Sequence, residues 1–214
     1  RRTTDRIQES LIIDVNIRRK GGHAEIPRKR LLLRKLLMQG QILMTRGLRE
    51  RPLVIFKTII RIGKVYELYD EIIEAYSFTQ VLLYNAEGIN SYNKIELKID
   101  FYDLCRRSLF EAVRVHRHFQ AVILSSSNKM SLTKKQTADI DRLNNLYAIT
   151  KSSNILSYYL LIKIEIAKAN YQLVEAYGYT YKLLDNIKNS KAVFSSNRIS
   201  FLYGELSKIS LVRL

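Results

Sequence analysis

The 214-residue sequence contains one cysteine, two prolines, eight glycines and no tryptophan. A single cysteine cannot form a disulfide within the chain, which excludes the small secreted domains that depend on disulfides. Glycine and proline are too scarce for a collagen-like or disordered chain. The sequence also lacks a secretory signal and the roughly 18 consecutive apolar residues of a membrane span. We therefore expect a cytoplasmic protein without a membrane anchor.

Apolar residues make up 47% of the chain, which is enough to fill a substantial core. At roughly 100–200 residues per domain, the length corresponds to one domain or one continuous array of repeats. We expect a single helical-repeat domain over residues 1–214, with residues 1–124 and 131–214 as its two possible halves.

Helical periodicity dominates the sequence, because apolar residues recur at intervals of three and four. Pro27 and Pro52 stand where a first helical turn tolerates proline, and Gly47 is placed to end a helix. Ser131 or Thr133 is placed to cap a later helix. The predicted helices span residues 3–19, 27–46, 50–65, 67–85, 90–124, 132–149, 154–169, 171–188 and 197–212.

Two segments of the chain resemble each other. The sequence EAYSFT at residues 74–79 matches EAYGYT at residues 175–180, and two leucines follow each segment at the same distance. The offset is close to three times the roughly 34-residue period of one class of helical repeat. Chance similarity between two amphipathic helices is the alternative explanation.

Residues 33–66 carry small and bulky side chains at a characteristic spacing, namely Leu36, Gly40, Gly47, Pro52, Phe56 and Ile59. This spacing resembles the tetratricopeptide repeat, in which a small residue of the first helix lets the second helix approach closely and a bulky aromatic packs from the second. Pro52 and Ile59 replace the usual alanines, so the match is partial. Overall the chain looks similar to divergent tetratricopeptide-type proteins of uncharacterised bacterial families.

The resemblance implies an all-α, right-handed solenoid of antiparallel helix hairpins, made irregular by the long helix near 90–124. In such a solenoid the first helices line a concave surface, where the match places Arg34, Leu37, Gln41 and Met44. Leu37 and Gln41 stand where the carboxylate-clamp subgroup has Lys and Asn, so recognition of chaperone tails is not expected. We expect a protein-binding scaffold for a peptide or helical segment, with self-association equally open.

Positive charge is concentrated near the start of the chain. Residues 1–64 hold 17 Lys and Arg against 5 Asp and Glu, a balance of +12, whereas the whole chain has +16. Arg28, Lys29, Arg30 and Lys35 are the candidate residues for binding a polyanion or an acidic peptide. Nucleic-acid association through this basic region is therefore the alternative function, and solubility alone is the simplest explanation of the charge.

We do not expect an enzyme. Cys105 and His116 are eleven residues apart on one predicted helix, about 16 Å, and cannot meet there. His116 and His118 point in different directions, which is poor geometry for a metal ligand pair. The carboxylates of Asp70, Glu71 and Glu74 are interpreted as a solvated helix face beside basic neighbours. No cofactor and no metal are expected.

Overall fold

The structure is a computed structural model that describes residues 25–125, 132–193, 202–204 and 206. Over these ranges the chain is helical and contains no strand, as the periodicity predicts. Seven helices follow one another over residues 25–189 outside the undescribed gap, namely α1 (Glu25–Thr45), α2 (Glu50–Tyr66), α3 (Tyr69–Glu87), α4 (Ile89–Ser125), α5 (Lys134–Thr150), α6 (Ser153–Ala169) and α7 (Leu173–Asn189).

The predicted helix at residues 3–19 lies outside the described residues, and so does most of the one at 197–212. The other seven predicted helices are confirmed, with ends that differ by one or two residues. Thr133 caps α5 through a capping box with Gln136. Ser152 caps α6, because its side chain accepts a hydrogen bond from the Ile155 backbone amide.

Two pairs of consecutive helices, α1–α2 and α6–α7, form antiparallel hairpins. At one end of the α1–α2 pair, the Tyr66 hydroxyl donates to the Glu25 carboxylate over 2.5 Å, which joins the end of α2 to the start of α1. The Asn186 amide near the end of α7 likewise donates to the backbone carbonyl of Ser153 at the start of α6, over 2.8 Å. These end-to-start contacts fix the antiparallel direction of both hairpins.

Three of the hairpin turns share one geometry. Gly47, Glu67 and Tyr171 each follow a helix and have positive φ values of 77°, 51° and 60°. The next amide in each turn donates to a carbonyl five residues earlier, as in Leu48 to Leu43. This is the Schellman arrangement, which satisfies helix carbonyls that have no partner within the helix. Gly47 adopts its conformation without strain, whereas the other two positions carry side chains there.

Tight packing marks the α1–α2 and α2–α3 contacts. A β-carbon added at Gly40 in α1 would lie 2.5 Å from the Phe56 ring of α2, and one added at Gly63 would lie 2.6 Å from Ile72 of α3. Phe56 is fully buried and stacks on Phe78 of α3. The absence of a side chain at Gly40 therefore lets α2 approach α1 closely.

The long helix α4 belongs to two hydrophobic clusters. Its first half contributes Ile95 and Cys105 to the core formed by α1, α2 and α3. Its second half contributes Ala112 and Phe119 to a core shared with α5 and α6. Because one continuous helix enters both clusters, α4 holds the first three helices and the later helices together.

Glu67 makes a second connection between distant parts of the chain. Its carboxylate, in the turn between α2 and α3, accepts hydrogen bonds from the Ser152 hydroxyl at 2.6 Å and the Ser153 amide at 2.7 Å. The Asn154 side chain donates to the same carboxylate at 3.0 Å. These donors form the start of α6, where the helix dipole favours a negative charge. An acidic side chain from one turn thus caps a helix 85 residues away.

The two similar segments occupy corresponding places in α3 and α7. Ala75 and Ala176 are both fully buried. Thr79 and Thr180 each donate a hydroxyl hydrogen bond over 2.7 Å to the carbonyl four residues earlier. The two segments therefore bury the same alanine and threonine positions, although the turns before them correspond at an offset of 104 residues, from Glu67 to Tyr171, rather than 101.

Candidate interaction surface

Helices α1 and α3 lie side by side, and polar groups join them along one surface. The Arg34 guanidinium donates to Glu71 over 2.9 Å and to Glu74 over 3.0 Å. The Gln41 amide donates to the other oxygen of Glu74 at 3.5 Å. Arg30 adds a longer ion pair, with 3.8 Å between its Nε and the Glu71 Oε1. Two residues of α3 therefore neutralise two arginines of α1.

Glu71 is the deepest member of this cluster. Its side chain is 1% exposed, whereas that of Arg34 is 49% exposed. Its second oxygen, Oε2, is buried and has no hydrogen-bond partner among the described residues. A buried carboxylate depends strongly on the cation beside it, because removal of that cation would leave an uncompensated charge. The ion pair therefore holds α1 against α3. The expectation of a solvated carboxylate face is wrong for Glu71.

An apolar strip runs along α1 beside the arginines. It consists of Leu31, Met38 and Ile42, whose exposed fractions are 39%, 57% and 50%. Their spacing of seven and four residues puts them on one side of the helix. We call these three residues the α1 strip. It lies next to Arg34 and Gln41, which contact Glu74 of α3. Together these six residues form what we call the α1–α3 surface.

Two of the residues predicted for the concave surface do lie on the α1–α3 surface, namely Arg34 and Gln41. For Leu37 the expectation needs correction, because its side chain is 2% exposed and packs in the core with Leu33 and Phe56. Met44 is half-buried and packs against the same core. The exposed face of α1 is thus rotated about the helix axis relative to the predicted face. Met38 is exposed, whereas its neighbour Leu37 is buried.

Sequence reasoning did not select the α1 strip, although a signal for it exists. Apolar residues lie on two sides of α1, with Leu33 and Leu37 on one and Met38 and Ile42 on the other. A helix that is apolar on one stripe needs one neighbouring surface, whereas a helix with two apolar stripes needs more. The second stripe of α1 was therefore available from the sequence as evidence of an additional contact.

The candidate polyanion residues are dispersed around α1. Arg28, Arg30 and Lys35 are exposed, and Lys29 is half-buried with its ammonium group 5.7 Å from the centre of the Tyr66 ring. Arg30 is directed towards Glu71 at the α3 side. Part of the positive charge of α1 is therefore engaged within the protein rather than concentrated in one free patch.

Cys105, His116 and Glu165 lie within the contacts between helices. Cys105 is buried, and this burial, together with the negative charge of Glu67, raises the pKa of its thiol to about 11. His116 lies further along α4, 3.9 Å from the Glu165 carboxylate of α6, and its ring centroid is 5.3 Å from that of Tyr158 in a tilted arrangement. Burial also raises the pKa of Glu165. His116 and Glu165 thus lie at the contact between α4 and α6.

Within residues 25–125, 132–193 and the few described beyond them, no cluster of three or more His, Cys, Asp or Glu residues is arranged to hold a metal ion. None of the helices in this part of the chain combines the length and the apolar composition needed to cross a bilayer. Compared with known proteins, the chain matches no protein-family model, no curated protein and no solved structure.

Proposed function

We propose that this protein is a non-enzymatic interaction protein, which binds a peptide or helical segment on the α1–α3 surface. The observation that carries the proposal is the α1 strip. Three large apolar side chains on one side of α1 have exposed fractions of 39–57%, with Lys35 in the same line between Leu31 and Met38, and exposed apolar residues beside polar ones are typical of protein-binding surfaces.

The charges beside the strip favour an amphipathic helix as the ligand. Arg34 already has two carboxylate partners, so a ligand gains little by offering it a third. The α1 strip instead offers apolar contacts over about 16 Å, from Leu31 to Ile42. An amphipathic helix presents apolar residues at matching intervals and buries them in such a surface. Acidic residues at the edge of this ligand would meet the exposed Arg28.

The way in which the helices are stacked is also part of this proposal. We infer a right-handed solenoid of the tetratricopeptide type, in which α1 and α3 are first helices of successive hairpins. Contacts of α1 with α3, and of α4 with α6, support this inference because stacked repeats bring alternate helices together. The approach of Gly40 to Phe56 supports it at the level of one hairpin. A cytoplasmic location remains a prediction.

A photo-crosslinking experiment tests the function. A benzophenone amino acid replaces Met38 in the full chain in cells, and a matched chain carries it at Val54, an exposed apolar residue of α2. We expect a crosslinked partner from position 38 and not from position 54. The partner, once identified, should bind the purified chain at least tenfold more weakly after Ile42→Glu, and with unchanged affinity after Val54→Glu.

Equal effects of the two glutamate substitutions would contradict the proposal. Charge reversal at the exposed Arg28 and Lys35, which leaves the ion pairs of Glu71 intact, tests the nucleic-acid alternative, in which the basic region binds phosphates. If binding to DNA or RNA at low salt is strong, falls steeply as salt increases and is lost on this reversal, then phosphate contacts drive the interaction and the alternative is correct. If no such binding occurs at low salt, the alternative is wrong.

A further inference from the structure

Helix α7 carries a second group of exposed apolar side chains. Val174, Tyr177 and Tyr181 are 64%, 38% and 61% exposed, and their spacing of three and four residues puts them on one side of the helix. We call these three residues the α7 strip. The buried side of α7, which includes Leu183 and Ile187, packs in the core instead. The α7 strip is therefore open to a second molecule.

Gly178 leaves a gap within the α7 strip. It lies on the same side of the helix as Val174 and Tyr181, and a β-carbon added there would meet nothing within 4 Å. Glycine within a helix lowers stability relative to alanine. At Gly40 the corresponding space accommodates the Phe56 ring, which lies 2.5 Å from an added β-carbon. At Gly178 a space of the same kind is open on the protein surface.

The charges of α7 favour a second copy of this chain as the molecule that covers the strip. The chain has a net charge of +16, so two copies repel each other over most of their surface. Helix α7, however, carries Glu175 and Asp185 against Lys182 and Lys188, a balance of zero. Helix α1 carries one acidic and five basic residues, a balance of +4. Two copies therefore meet along α7 with less repulsion than along α1.

We propose that two copies of the chain associate through their α7 helices, antiparallel to each other, about a two-fold axis between Gly178 and Tyr181. Because these two residues are three positions apart, this axis puts the Tyr181 ring of each copy over Gly178 of the other. It also brings Glu175 of each copy near Lys182 of the other, since the same flanks of antiparallel helices face each other. The α7 face is thus complementary to itself in both shape and charge.

The small size of this contact sets its expected strength. Stable complexes bury roughly 1,200–2,000 Å² in total, which is more than two turns of one helix provide, so we expect a weak dimer with a dissociation constant of roughly 10–100 µM. The α7 strip and the α1–α3 surface lie on different helices. The inference therefore goes beyond the proposed function and does not depend on it.

Sedimentation equilibrium of the full chain, from about 1 to 300 µM, measures the association. We expect Tyr181→Glu to weaken the dimer at least tenfold, and Gly178→Leu to do the same because the new side chain takes the space of the ring. Phe110→Glu changes an exposed aromatic residue of α4 and should leave the association unchanged. Circular dichroism checks that each variant keeps its helix content. A natural chain that stays monomeric over the whole range would overturn the inference.

Charge exchange tests the antiparallel arrangement. Glu175→Lys alone and Lys182→Glu alone should each weaken the dimer at least threefold, because each brings like charges together, and the double variant should restore it. The two single variants change the net charge in opposite directions, so altered overall repulsion cannot weaken both. Arg114→Glu, at an exposed position of α4, changes the net charge as Lys182→Glu does and should not weaken the dimer.

Three other results would also contradict the inference. A dimer that persists unchanged in Tyr181→Glu and Gly178→Leu forms through another surface. A double charge variant as weak as the single variants excludes the antiparallel pairing. Oligomers that grow beyond two copies exclude a two-fold contact, because such a contact closes with the second copy. The crosslinks from position 38 to another protein are independent of these results, so this inference and the proposed function can fail separately.

Discussion

The region around α1, α2 and α3 and the region around α6 and α7 use glycine in different ways. Gly40 and Gly63 lie at helix contacts where an added β-carbon would clash with Phe56 or Ile72. Gly178 lies in α7, and a β-carbon added there would meet nothing within 4 Å. Although EAYSFT and EAYGYT are similar in sequence, the glycine of the second segment is not a packing residue within the chain. A glycine within a helix therefore marks close helix packing only where a side chain of another helix occupies the space that a β-carbon would take.

Glu67 connects these two regions, and its removal should have the largest effect. Glu67→Ala removes the hydrogen bonds to Ser152, Ser153 and Asn154 and leaves the start of α6 without its acidic partner. We expect the free energy of unfolding to fall by about 3 kcal/mol, because hydrogen bonds to charged groups are strong. Urea denaturation measures the change. Glu67→Gln keeps an acceptor and should lose less, so equal losses would contradict this explanation.

Gly40→Ala should have the next largest effect. The new methyl group would lie 2.5 Å from the Phe56 ring, which is fully buried and cannot move aside easily. We expect a loss of about 1–3 kcal/mol in the free energy of unfolding, which is typical of overpacked cores. Thermal denaturation of the two chains tests this. A Gly40→Ala chain as stable as the natural one would show that α1 and α2 can separate without cost.

Arg34→Ala should destabilise the contact between α1 and α3 by about 1–2 kcal/mol, since the buried Glu71 would keep only the longer contact with Arg30. Adding Glu71→Gln should recover part of the loss, because the buried charge is then absent. Urea denaturation of both single variants and the double variant gives the coupling energy. Arg28→Ala, an exposed position on the same helix, is the control and should change stability by less than about 0.5 kcal/mol.

Cys105 provides a pH-dependent test of the core that joins the two regions. Burial raises the pKa of its thiol from 9.0 to about 11, so an unfolded chain loses this proton at lower pH than the folded chain. The thiol therefore contributes stability below pH 9 that is lost as the pH rises towards 11. We expect the stability difference between the natural chain and Cys105→Ala to shrink over this interval, as measured by urea denaturation. A constant difference would contradict burial of the thiol.

Gly178→Ala should have the smallest effect and the opposite sign. The methyl group meets no neighbour, and alanine has a higher helix propensity than glycine. We expect a gain of about 0.5–1 kcal/mol in the free energy of unfolding, measured by thermal denaturation. Destabilisation by this substitution would mean that α7 contacts something at Gly178, and the contrast with Gly40 would then disappear.

Helix positions could be predicted closely because their signals are local. Pro52 lies in the first turn of α2, Gly47 lies in the turn that follows the end of α1, and Thr133 caps α5. Each of these effects depends on a backbone preference or a hydrogen bond within a few residues. The predicted ends of seven helices consequently agree with the structure to within two residues.

The surface was harder to predict because it depends on neighbours distant in sequence. Arg34 and Gln41 lie on the side of α1 that contacts Glu74 of α3, whereas Leu37, which was expected on the same surface, is buried. Adjacent residues on a helix point about 100° apart, so an error of one position turns a surface residue into a core residue. The pairing of Arg34 with Glu71, 37 residues away, could not be read from the local pattern.

The amino-acid sequence alone determined the helical class, the length of each described helix and the presence of a basic first helix. Only the tertiary structure decided which side of α1 faces the core, that Glu71 is buried beside Arg34, and that Glu67 caps α6. The physical reason is that turns and periodicity act within one or two helical turns. Burial and ion pairing depend instead on which helices meet, and that is fixed by the packing of the whole chain.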